Sequence, residues 1–325
     1  MSLKITCKSS IDQNENLWGI VLAGGDGNRL RNFVQKIYGY YRPKQFCKII
    51  GTRSLLQHTI DRTKIVMPDE RIFVVLTKHH INFIKEEIQD HPKECLIIQP
   101  SPKDTGAGII FPLIKVFKRD NDSTVIILPS DHFIEEEIKF MNYVNEASYF
   151  IEKNKDQILL VGIKPKQLES GCGWILKGSR IFHESLKINE VNEFVEKPDL
   201  QTTRELFNKD SLLNTFIMIG KSRTFLNYLR KYTPKLFNSF LPLLINKIPE
   251  RERFLVGRIF LTVPMINFSY DFLTKICKHL SVVELSDIYW SDWGDENRII
   301  NDLKRIYNNK EYEIPLSVEE VIIFN

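Results

Sequence analysis

From Leu17 onward, short apolar runs alternate with longer stretches of helical periodicity. The runs are WGIVLA (18–23), RIFVVLT (71–77), CLIIQ (95–99), TVIILPS (124–130) and ILLVGI (158–163). Each is short, rich in Val and Ile, and bounded by turn or charged residues, as expected of strands buried on both faces of a parallel sheet. Between them, SLLQHTIDRTKIV (54–66), INFIKEEIQ (81–89) and GIIFPLIKVFKR (108–119) repeat their apolar positions at helical spacing. Strand–helix alternation predicts right-handed crossovers and an α/β, Rossmann-like doubly wound sheet with helices on both faces.

The pattern changes after residue 165. GWILKG (173–178), VNEFVEKP (191–198) and NTFIMIGK (214–221) are shorter strands with polar insertions. They predict a smaller antiparallel extension laid against the parallel sheet, which makes the sheet mixed. Residues 222–255 read as helical, with Pro234, Pro242 and Pro249 breaking the pattern. The division that follows is a main domain over 17–300, a short C-terminal helical extension over 301–325 ending in an apolar tail, and a loosely ordered N-terminal extension over 1–16. The sequence shows no internal repeat.

Composition narrows the class. Of 325 residues, 43% are hydrophobic and 26% charged, the profile of a soluble globular protein. A net charge of +4, with basic residues scattered among acids, gives no nucleic-acid footprint. The polar N-terminus and the absence of a long apolar stretch predict no membrane partner. Cys7, Cys47, Cys95, Cys172 and Cys277 lie far apart without metal spacing, which predicts reduced thiols in a cytoplasmic protein.

Six segments carry candidate chemistry. LAGGDGNRL (22–30) follows a strand and opens a helix. Around Leu22 and Ala23, the glycines Gly24, Gly25 and Gly27 allow tight turns and let backbone N–H groups approach an anion. Arg29 adds a guanidinium fork. The segment is neither a GxGxxG fingerprint nor a Walker loop. In QPSPKDTGAG (99–108), small residues such as Gly106 let the backbone run beside a flat base, with Gln99, Asp104 or Thr105 to hydrogen-bond it or to cap the following helix. LPSDH (128–132) ends an apolar strand, so Asp131 points into the crevice at the carboxyl end of the sheet. His132 reads as a local hydrogen-bonding group, and His79 and His80 as loop residues. EFVEKPD (193–199), ESGCGWI (169–175) with LLNTFIMIG (212–220), and WSDWGDENRI (290–299) complete the set.

GGxGxRL followed by PKQF (43–46) resembles the signature of sugar-1-phosphate nucleotidyltransferases, most closely the mannose-1-phosphate guanylyltransferases. The resemblance runs from about residue 18 to 300, with the motifs in family order. It implies the nucleotide-diphospho-sugar transferase fold and transfer of a nucleotidyl group from GTP to mannose 1-phosphate. Arg29 and Lys44 would hold the triphosphate, and Asp131 and Asp292 would ligate Mg²⁺ or Mn²⁺. Gly173, Glu196, Lys197 and Asn214 would hold the sugar and its phosphate, with Lys197 counted as catalytic alongside Arg29 and Lys44. The base loop departs from the family pattern at Asp104, Gly106 and Gly108. Leu213, Cys172 and Trp174 replace family aromatics in the sugar pocket. Another nucleotide or sugar (glucose or heptose type) and a non-catalytic nucleotide-sugar-binding homologue stay open as alternatives. Apart from the nucleoside triphosphate and the sugar 1-phosphate, a homodimer is the one partner compatible with this reading.

Overall fold

The computed structural model describes residues 14–309 and 313–323. Eleven strands are found among them: β1 (Leu17–Leu22), β2 (Ile72–Thr77), β3 (Leu96–Gln99), β4 (Thr124–Pro129), β5 (Phe133–Ile134), β6 (Ile158–Ile163), β7 (Gly173–Ile181), β8 (Ile188–Glu196), β9 (Leu212–Lys221), β10 (Leu280–Leu285) and β11 (Trp290–Ser291). The first five helices are α1 (Arg31–Tyr38), α2 (Leu55–Thr63), α3 (Ile81–Glu87), α4 (Asp104–Arg119) and α5 (Glu137–Lys153). They are followed by α6 (Leu200–Asn208), α7 (Ser222–Tyr232), α8 (Pro234–Ile245), α9 (Glu252–Thr262), α10 (Glu296–Asn309) and α11 (Leu316–Ile323). None of them is long and apolar enough to cross a membrane.

The large sheet has the order β3-β2-β1-β4-β9-β6-β10-β8-β7. Strands β1 to β4 run parallel to one another, and β6 runs parallel to β10. Side-chain alternation builds a core on each face. Trp18, Ile20, Phe73 and Val75 pack with α4 and α7 to α9 on one side. Leu17, Val21, Ile72 and Val74 pack with α2 and α5 on the other. The doubly wound mixed sheet is thus as expected.

Four details differ from the sequence reading. Strand β9 is not part of a lateral extension: it lies antiparallel between β4 and β6, in the middle of the sheet. Strand β10 went unseen, because buried Ser281 and Glu284 interrupt its apolar run. Pro242 sits inside α8 without ending it, since buried Phe240 and Leu243 hold that helix on the core despite the lost N–H. Asn14, at the end of the expected N-terminal extension, is buried and donates to Ser148 Oγ at 3.0 Å. Residues 1–13, including Cys7, lie outside the described residues; Cys47, Cys95, Cys172 and Cys277 are free thiols.

A third, smaller core forms beyond the carboxyl ends of the strands. Phe33, Val34 and Ile37 of α1 pack there with Ile299, Leu303 and Ile306 of α10, Val318 of α11, and the stacked pair Phe133 and Trp293. It fixes the helix that follows the glycine loop.

Candidate active site

At the end of β1 the chain turns through residues 23–27 into a 3₁₀ turn (Asn28–Leu30) and then α1. The loop is anchored from behind. Ala23 N–H donates to the Val75 carbonyl at 2.8 Å, and Thr77 Oγ1 donates to the Gly24 carbonyl at 2.9 Å. Gln45 Nε2 donates to the carbonyls of Ala23 at 2.9 Å and Gly25 at 2.7 Å. Gly27 has φ +64°, and a Cβ there would stand 3.2 Å from Lys44 N and Cβ, so both conformation and space require glycine. Gly25 is the opposite case: nothing lies within 4 Å of where its Cβ would be. It faces a cavity of about 390 Å³ lined by Leu22, Gly24, Gly25, Gly27, Gln99, Asp104, Thr105 and Asp131.

One wall of that cavity is the start of α4. Asp104, the first residue of α4, has φ +58°, and its Oδ1 accepts from Thr105 N–H at 2.6 Å. The Thr105 hydroxyl accepts from Phe268 N–H at 2.8 Å. Gly106 packs directly on Ile266 and donates its N–H to that residue's carbonyl at 2.8 Å. The segment 267–272 thereby supports the wall. Its Asp271 accepts from Asn267 N–H at 2.8 Å.

On the opposite wall, Asp131 leaves the end of β4 and meets Lys44, whose buried ammonium donates to Asp131 Oδ2 at 3.2 Å and to the Asp292 carbonyl at 2.5 Å. Burial pushes the Asp131 carboxyl up, but Lys44 and then His132 outweigh it and hold the group below the usual carboxylate range. Burial also pushes the His132 imidazole down to about 4, so the ring is neutral. Trp290 Nε1 donates to His132 Nδ1 at 3.3 Å, which leaves the ring proton on Nε2, 3.9 Å from Asp131 Oδ1. Asp292 follows β11; its Oδ1 accepts from Gly294 N–H at 3.2 Å and pairs with Arg298, which also binds Glu169. The remaining Oδ2 meets only the Cys172 thiol, at 3.8 Å.

Asp292 and His132 also line a second cavity of about 120 Å³, together with Gly173, Glu196, Asn214, Phe216 and Ser269. Register explains the convergence: Gly173 of β7 pairs with Glu196 of β8, and a Cβ at Gly173 would lie 2.8 Å from Glu196 Oε2. Burial raises the Glu196 carboxyl, with Lys197 and Ser269 opposing. Asn214 precedes an irregularity in β9, where the register shifts opposite Leu160 and Gly162. Thr215 Oγ1 donates to the Val161 carbonyl at 2.7 Å, and Phe216 turns to φ +59° with its N–H on Asn214 Oδ1 at 3.2 Å. The bulge re-aims Asn214 into the small cavity and sets the Phe216 ring against both.

Two cavities thus meet at His132 and Phe216 on the carboxyl edge of a doubly wound sheet, one lined by Asp131 and the other by Asp292, and comparison with known proteins gives that arrangement a family. The model of the nucleotidyl transferase family matches residues 18–308. The chain belongs to the nucleotidyl transferase family. It is 26% identical over 281 residues to a mannose-1-phosphate guanylyltransferase of Salmonella typhimurium, covering 85% of this chain and 56% of that protein. It is 29% identical over 282 residues to one of Escherichia coli, covering 85% and 59%. The chain therefore spans less than two thirds of the length of these relatives. Among solved structures, one described as a mannose-1-phosphate geranyltransferase from Thermus thermophilus superposes with a TM-score of 0.73 at 20% identity, over 90% of this chain and 79% of that one. Another, described as a mannose-6-phosphate isomerase from Helicobacter pylori, gives 0.65 at 19%, over 85% and 99%. Both share the fold.

Within this nucleotidyl transferase, most of the expected residues converge on the two cavities, and several do not. Ala23 and Gly106 lie behind the large cavity, with their backbone N–H groups bonded inside the protein. Arg29 is exposed on the 3₁₀ turn and does not line the cavity. Lys197 is 58% exposed, in a left-handed conformation, with Nζ 3.8 Å from Glu196 Oε1. Lys44 sits beneath the aspartates. Sequence reasoning missed Gln45, Phe216 and Arg298. Polar Asn-Thr within an apolar strand was the available signal for the bulge, whereas nothing in the sequence marks Arg298 as the partner of Asp292. His79 and His80 are also more than loop residues, since both rings meet Asp26 of the glycine loop.

Proposed function

We propose that this chain transfers a nucleotidyl group from a nucleoside triphosphate to a sugar 1-phosphate, with GTP and mannose 1-phosphate the preferred pair, releasing pyrophosphate. The observation that carries the reading is the buried Lys44 ammonium, which joins the Asp131 carboxylate of the larger cavity to the backbone carbonyl of Asp292, whose residue lines the smaller. The family supplies the reaction class, and the named relatives supply the choice of sugar and base.

The donor set fits a hard divalent cation. Asp131 is 38% exposed on its side chain and presents carboxylate oxygen to the cleft, and Asp292 Oδ2 lacks a strong partner. Mg²⁺ or Mn²⁺ held there would neutralise charge on the reacting phosphates. The rest follows from the residues. The glycine loop receives the triphosphate on backbone N–H groups, and Arg29 reaches it from the exposed turn. Glu196 and Asn214 accept and donate to sugar hydroxyls, and Lys197 pairs with the sugar phosphate. A phosphate oxygen of the sugar then bonds to the α-phosphorus in line with the bond that breaks, and pyrophosphate leaves with the electron pair. The nucleophile is already ionised, so alignment suffices and no general base is needed. For the base, Asp104 Oδ2 remains to accept from the N1–H and exocyclic amine of guanine, a donor pair that adenine lacks.

The test is a matrix of five nucleoside triphosphates against mannose, glucose and other sugar 1-phosphates, scored by initial rates of pyrophosphate release. GTP with mannose 1-phosphate should lead, with some tolerance of other sugars because Cys172, which lines the small cavity, stands in place of a bulkier aromatic residue. A preference of about tenfold or more for another base would reassign the nucleotide.

A further inference from the structure

Asp26, His79 and His80 form a second cluster, set apart from the paired aspartates. Asp26 is the one acidic residue of the glycine loop, and the two histidines close a 3₁₀ turn (Lys78–His80) at the end of β2. His79 Nε2 lies 2.6 Å and His80 Nε2 3.2 Å from the same oxygen, Asp26 Oδ1. The three candidate ligand atoms all lie within 4.8 Å of one another.

Each part is held from outside. The Asp26 carbonyl accepts from the Tyr41 hydroxyl. His80 is 1% exposed and edge-on to Phe46, and its Nε2 faces Asp26. His79 and Asp26 are open on the solvent side.

We propose that Asp26, His79 and His80 bind a borderline transition-metal ion of the zinc class, with one coordination position left open. Two imidazoles and a carboxylate suit Zn²⁺ or Co²⁺ and do not suit Mg²⁺, which takes oxygen ligands. Bond lengths of ~2.0–2.2 Å place tetrahedral ligands roughly 3.3 Å apart, so the present separations need only a small adjustment. Because Asp26 also lines the large cavity, the ion ties the glycine loop to the end of β2 and leaves its open position at the cavity mouth.

The full chain is titrated calorimetrically with ZnCl₂ in excess Mg²⁺, and separately with Co²⁺ while visible absorption is recorded. One ion per chain should bind, Co²⁺ should give the intense bands of four-coordinate geometry, and zinc should raise the melting temperature. Loss of a direct ligand should weaken zinc by more than ~10-fold in either His79→Ala or Asp26→Asn. His79 is exposed, so its variant folds normally by circular dichroism. Asp131→Asn should keep zinc binding intact. No binding by the wild type, binding unchanged in the Asp26→Asn/His79→Ala double variant, or loss of zinc in Asp131→Asn would each overturn the proposal.

Discussion

At the scale of single residues, the two glycines of the nucleotide loop separate fold from function. Gly27→Ala meets both a left-handed φ and the Lys44 backbone, and should cost about 1–2 kcal/mol in chemical denaturation. Gly25→Val meets nothing within 4 Å, so the protein should keep its stability while calorimetry shows nucleotide affinity lost to a branched side chain in the cavity. Asp131→Asn should lower turnover by several orders of magnitude. It should also destabilise the fold by about 1–3 kcal/mol, because the buried Lys44 ammonium loses its countercharge and keeps only neutral acceptors. His91 makes a pH prediction. Its buried ring bonds the Ile72 carbonyl at 2.8 Å, and burial lowers its pKa against the opposing carbonyl. The folded state therefore binds fewer protons than the unfolded one. The contribution of the neutral ring is complete above the ordinary histidine value and declines as pH falls below about 6.5, by at most ~1.4 kcal/mol per unit. Denaturation midpoints measured across that range should show a weaker acid dependence in His91→Gln.

At the scale of elements, the strands legible in the sequence are those buried on both faces with no polar break: β1, β2, β4 and β6 stand nearly where their apolar runs place them. Strand β10 was hidden by Ser281 and by Glu284, a buried carboxylate that pairs with Lys177 across the sheet. The site was legible in the same uneven way. Asp131 could be read because it ends an apolar strand, and the glycine loop because its composition is unusual. Pairing of Asp292 with Arg298 could not, since it depends on how α10 starts after β11, and the bulge that aims Asn214 depends on its register against β6. Helix α10 also does more than extend the chain, since Leu303 is fully buried against α1. Leu303→Ala should cost about 2–5 kcal/mol in denaturant, and a chain cut at residue 300 should lose stability instead of behaving as a trimmed domain.

At the scale of the whole molecule, a mixed sheet sets two cavities side by side along its carboxyl edge, and β9, running antiparallel through its middle, carries the residues that separate them. Phe216 and His132 stand on that boundary, and the aspartates with Lys44 lie at the junction. The arrangement suits a reaction that joins two bound phosphates and needs no proton removed. The most direct test is the initial rate of pyrophosphate release from GTP as mannose 1-phosphate is varied, with Mg²⁺ in excess. The account predicts a saturable rate that requires both substrates and disappears when the metal is chelated. Tight GTP binding without pyrophosphate release from any sugar 1-phosphate would contradict it and mark the chain as a nucleotide-binding protein built on the same fold.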